Sequence, residues 1–123
     1  MIKFLKSVAT LLSRGEKILI YPEQAMWRNY KKPRPMKDGA FKIACKNNVP
    51  IIPCFITTDD TDKFDVDGLP IQSYTLWFLP PIHPDKNLSI KEDAERIKNE
   101  NYNLWKEIYE KVYKKPLVYL GDE

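Results

Sequence analysis

Two short apolar runs, each bounded or broken by proline, constrain this chain more than any other feature. The first, Lys17–Tyr21, stops at Pro22 and hands over directly to Glu23. The second, Val49–Thr57, carries Pro50 near its start and Pro53 inside it. Nearly continuous apolar runs of this length are expected of strands covered on both faces in a parallel sheet. Proline has no amide proton to give to a ladder, so it ends the first strand and confines Pro53 to an edge or bulge. About one helix lies between the runs, with Asp38 as its cap, Gly39–Lys46 as its body and Asn47-Asn48 as its close. Strand, helix and strand in that order predict an α/β domain with a small mixed or parallel sheet packed by helices. In such a fold Glu23 sits at the C-terminal edge of the sheet, where ligands usually bind.

The other elements follow from the same periodicities. Ile2–Ser13 places Phe4, Leu5, Val8, Leu11 and Leu12 on one helical face, and Arg14-Gly15 supplies a stop. Glu23–Lys37 reads as a loop holding Trp27, Tyr30, Pro33 and Pro35 among basic residues; loops of this length tend to be functional. Asp59–Pro70 is acidic and turn-rich, with Asp67-Gly68 at the turn. Its aspartates are similar to those of a calcium-binding loop, but no glycine and no terminal glutamate sit at that loop's positions, so it reads as a solvated hairpin loop. Tyr74–Leu79 is a third strand, and Pro80, Pro81 and Pro84 keep the next connection extended. Ser89-Ile90-Lys91-Glu92 has the form of a capping box and opens a helix running to about Lys114, before Pro116. Tyr102, Trp105, Tyr109 and Tyr113 on that helix read as a core face with hydroxyls at the rim.

A chain of 123 residues holds one domain with a modest core. The net charge of +3 does not point to nucleic acid, but Arg28, Lys31, Lys32, Arg34 and Lys37 fall close together with no acidic residue among them. Such a cluster suits an anionic partner. Cys45 and Cys54 have no metal-like spacing and are too few for a disulfide scaffold, which suggests reduced thiols in the cytosol. No apolar run approaches the ~20 residues that span a bilayer. No cofactor motif is present.

Order and spacing from roughly Leu11 to Ile56 resemble the glycerolipid acyltransferase family, which acylates lysophosphatidic acid and related acceptors. The family's Phe-Pro-Glu-Gly-Thr-Arg-Ser block is similar to Tyr21-Pro22-Glu23-Gln24-Ala25-Met26-Trp27. A lysine-x-glycine step matches Lys37-Asp38-Gly39, a helix alanine matches Ala44, and Val49-Pro50-Ile51-Ile52-Pro53 is close to the family's last block. The resemblance implies an acyl-CoA or acyl-carrier-protein donor, a lysophospholipid-like acceptor and peripheral contact with the inner face of the membrane. It implies that Glu23 belongs to the acceptor site.

Two departures qualify it. The family's phosphate-gripping arginine falls on Met26, leaving Arg28 as the nearest substitute, with Lys31, Lys32, Arg34 and Lys37 as further substrate-binding candidates. The family's catalytic His-x-x-x-x-Asp pair precedes the first block, whereas the single histidine here, His83, follows the second and has Leu88 five residues on. The resemblance therefore implies that residues 1–123 are the C-terminal portion of one acyltransferase domain without its general base, and no residue is assigned a catalytic role. The alternative is a non-catalytic module that grips an anionic lipid headgroup or a phosphorylated partner through the basic loop.

Overall fold

The computed structural model describes residues 2–24 and 31–119. Three helices and one antiparallel hairpin make up its regular structure: α1 (Ile2–Ser13), α2 (Gly39–Asn47), β1 (Cys54–Phe64), β2 (Pro70–Phe78) and α3 (Ile90–Tyr113). The helix ends follow the sequence signals. Gly15 adopts a left-handed φ of 79°, and the bonds Gly15 N–H to Leu12 O and Glu16 N–H to Leu11 O close α1. Asn48, at φ 52°, does the same for α2, with its own amide on Cys45 O and that of Val49 on Ala44 O. Ser89 stays extended and its hydroxyl accepts the Glu92 amide at 3.2 Å, capping α3.

Four expectations are corrected. The parallel sheet is replaced by a two-stranded antiparallel one, β1 against β2. The Lys17–Tyr21 run forms no strand: it has no ladder partner among the described residues, and Leu19 and Tyr21 are 74% and 71% exposed. A buried-strand pattern needs neighbours on both sides to become a strand. The Val49–Thr57 strand starts only at Cys54, beyond both prolines, and Ile51 contributes just an isolated bridge to Ile82. Asp38 likewise makes no side-chain cap on α2; its carboxylate instead pairs with Lys98 of α3 at 2.7 Å, tying the two helices together.

The hairpin is longer than the apolar pattern suggests, because Thr and Asp residues continue it to Phe64 and it resumes at Pro70. Its loop is organised by Asp65, whose carboxylate accepts the amides of Asp67 and Leu69, while Gly68 takes φ 79°. The inner face presents Phe55, Thr57 and Trp77; the Trp77 indole donates to the Thr57 hydroxyl at 2.9 Å, and the Phe55 ring stacks on Trp105 of α3. The outer face carries Ile56 opposite Leu76 and Cys54 opposite Phe78, and Ile56, Leu76 and Phe78 remain exposed. The main core lies where α2, α3 and the inner face of the hairpin meet, built on Phe41, Cys45, Phe55, Ile97, Trp105 and Tyr109. The α3 aromatics are thus a core face, with Trp105 and Tyr109 inside it.

Candidate functional site

Pro22 and Glu23 turn the chain away from the exposed Lys17–Tyr21 segment. The Gln24 amide donates to Tyr21 O at 3.1 Å, which makes a tight turn with proline at its favoured second position. Gln24 then enters the left-handed region at φ 56°, a conformation that costs a residue with a side chain roughly 1 kcal/mol. The family block places a glycine at this position. Gln24→Gly should therefore leave the turn intact and change stability in the favourable direction by about 0.5–1 kcal/mol, read from a urea melt. A destabilised Gln24→Gly chain would show that the glutamine side chain, which lies beside Gly39, contributes more than the backbone conformation costs.

Past the turn the chain leaves for the basic loop and returns. Two hydrogen bonds pinch the neck of that loop: Lys37 N–H to Pro22 O at 2.8 Å, and Arg34 N–H to Glu23 Oε2 at 3.0 Å. Half-buried Glu23 is thereby oriented by a backbone amide rather than left to solvent. A carboxylate held by an amide donor is fixed in direction as well as place. Glu23, Arg34 and Lys37 therefore lie together at the neck.

Lys31 and Lys32 lie on the returning limb and turn toward the C-terminal part of the chain. The Lys31 ammonium stands 5.5 Å above the Tyr113 ring centroid, and Lys32 Nζ donates to Val118 O at 2.8 Å. Arg28, with Met26 and Trp27, lies outside the described residues. Tyr119 joins the same neighbourhood: its hydroxyl meets that of Tyr102 at 2.7 Å and donates to Pro33 O at 2.6 Å. Nothing in the spacing of Tyr102 and Tyr119 signals this meeting, since it depends on how the segment after α3 folds back.

The remaining reactive groups are structural. His83 sits in the extended connection before α3, where its carbonyl accepts from Arg96 Nη2 at 2.7 Å. Cys45 is buried, and burial together with the Asp93 carboxylate pushes its thiol up to about 11. That is the wrong direction for a nucleophile. Burial also raises the Cys54 thiol. No helix among the described residues is long and apolar enough to cross a membrane.

Residues 1–57 match the family model described as Acyltransferase. No curated protein and no solved structure matches the chain. The matched stretch runs from α1 through the Glu23 turn, the basic loop and α2 into the start of β1, so the neck of the loop and each basic residue named for it fall inside the match. Over those residues the chain is similar to the acyltransferase family.

Proposed function

We propose that this chain forms the acceptor side of a glycerolipid-type acyltransferase and does not complete the reaction alone. The acceptor is a lysophospholipid-like molecule whose phosphate meets the basic loop and whose hydroxyl lies near Glu23. The donor is an acyl thioester, on coenzyme A or on acyl-carrier protein. In the reaction the hydroxyl oxygen attacks the thioester carbonyl, the C–O bond forms, the C–S bond breaks, and the thiolate leaves. The hydroxyl proton must pass to a base, a contribution typically worth about 10²–10⁴-fold in rate. No base is assigned to this chain: its single histidine, His83, comes after the matched block in the sequence and has Leu88, not an aspartate, five residues on. The site is accordingly a binding half-site, working at the inner face of the membrane where its acceptor resides. Exposed Ile2, Phe4 and Leu11 on α1, with Lys3 and Lys6 on the same helix and no acidic residue in it, support surface contact with anionic lipid.

The observation that carries this reading is the Glu23 carboxylate pinned by the Arg34 amide at the neck of the basic loop, inside the family-matched residues. The test uses purified chain, lysophosphatidic acid and acyl-CoA. Acceptor binding is expected without acyl transfer, and both Glu23→Ala and Arg28→Ala should weaken that binding. Robust turnover by this chain would refute the half-site reading. Acceptor affinity indifferent to both substitutions would refute the acceptor site.

A further inference from the structure

The carbonyl of Pro33 and the amide of Arg34 are two ends of one peptide unit. Tyr119 holds the oxygen end at 2.6 Å, and Glu23 Oε2 receives the N–H end at 3.0 Å. Because a hydroxyl has one proton and Tyr119 gives its own to Pro33, Tyr102 must be the donor in the 2.7 Å contact between the two tyrosines. The result is a directed series: Tyr102 O–H to Tyr119, Tyr119 O–H to Pro33 C=O, and Arg34 N–H to the Glu23 carboxylate. Hydrogen bonds in series polarise one another, so a donor on a peptide oxygen strengthens the N–H at the other end.

The setting keeps this arrangement stiff. The Pro33 ring is fully buried and its φ is fixed by the ring. The segment after α3 is anchored by buried Leu117, whose amide donates to Glu110 Oε2 at 2.9 Å. Burial pushes the Tyr119 hydroxyl well above the usual phenol range, consistent with its keeping its proton and acting as a donor throughout the neutral range. Both tyrosines lie outside residues 1–57, in a part of the chain the family match does not cover.

From this geometry we infer that Tyr102 and Tyr119 are positioning residues for the acceptor site: they fix the Pro33–Arg34 peptide and through it the direction of Glu23 and the departure point of the Arg34 side chain. The inference rests on the acceptor-site reading above. It assigns to the segment outside the family match the task of setting the loop inside it.

Inorganic phosphate titrated into the full chain, followed by amide NMR shifts, gives the readout, together with hydrogen exchange at the Arg34 amide. Tyr119→Phe keeps the ring and removes only the hydroxyl. It should weaken phosphate binding about fivefold, the effect of one net hydrogen bond, and speed Arg34 exchange by a similar factor. Tyr102→Phe should act in the same direction and less strongly. Thr57→Val is the control: its hydroxyl accepts the Trp77 indole within the hairpin, so its loss should lower the melting temperature and leave both readouts at wild-type values. Faster Arg34 exchange with unchanged phosphate affinity would reduce the series to a structural one and overturn the inference, as would no change in either. Absent phosphate binding, or binding indifferent to Lys32→Gln and Arg34→Gln, would instead overturn the acceptor reading itself and take the inference with it.

Discussion

Asp93→Ala is expected to destabilise the chain by about 3 kcal/mol at neutral pH, measured by urea unfolding. Asp93 is 2% exposed, and both of its oxygens are committed. Oδ2 accepts the Asp85 amide at 2.8 Å and the Cys45 thiol at 3.4 Å; Oδ1 receives Arg96 Nε and Nη2 at 3.0 and 2.8 Å. One carboxylate thus joins α2, α3 and the connection before α3. Its removal orphans the Asp85 amide and frees Arg96, which also holds His83 O. Burial by itself raises the Asp93 carboxyl, but the Asp85 amide, the Arg96 guanidinium and the Cys45 thiol outweigh it, so the group sits below its ordinary 3.8. The sign follows from that direction. With the folded value below the unfolded one, the stabilisation is complete above 3.8 and drains away as pH falls through the lower folded value. The gap between wild type and Asp93→Ala should hold from pH 7 to about 5 and narrow in stronger acid. A gap that stays constant into acid would show that Asp93 contributes by packing and not by charge.

Phe41→Ala should cost about 3–5 kcal/mol and lower the melting temperature by roughly 10–20 °C. Phe41 is 1% exposed and is the largest side chain that α2 gives to the core shared with Ile97, Trp105 and Tyr109. Total stability for a chain of this length is of order 6–18 kcal/mol, so a large share rests on this one ring. Phe41→Leu fills most of the same space and should recover more than half of the loss. Thermal unfolding by circular dichroism distinguishes the two variants. Equal melting temperatures for Phe41→Ala and wild type would mean that α2 does not depend on this core for its place.

What was legible in the sequence is what local chemistry decides. Gly15, Asn48 and Ser89 mark helix ends because the left-handed residue and the hydroxyl cap act within one turn of chain. The Asp67-Gly68 turn is local in the same sense. The Lys17–Tyr21 strand failed because its apolar pattern reports an expectation of cover, while a strand also requires a partner for its backbone groups. The β1–β2 pairing was half visible: two apolar runs joined by a turn-rich stretch announce a hairpin, but the Thr- and Asp-rich extension to Phe64 has no apolar alternation to betray it. At the site, Glu23 was legible through its block, and the crowding of Lys31, Lys32 and Arg34 through composition. Their partners were not. The link from Arg34 N–H to Glu23 bridges the loop neck, and Tyr119 reaches Pro33 only because the segment after α3 folds back.

The hairpin's outer face has a consequence for the chain in concentrated solution. Ile56, Leu76 and Phe78 form an exposed apolar strip on a ribbon of two strands; the Tyr113 hydroxyl takes the Thr58 amide on the β1 edge, while the β2 edge has no further strand beside it among the described residues. Open edges beside apolar side chains invite ribbon-to-ribbon stacking between molecules. Asp59, Asp60 and Asp62 stand on the strand that continues from that strip, and Asp65 and Asp67 stand at the tip. Their like charges oppose a second ribbon approaching in register. The acidic stretch that looks like a spare loop in the sequence thus bears on association: salt, by screening it, should lower the protein concentration at which light scattering detects pairing.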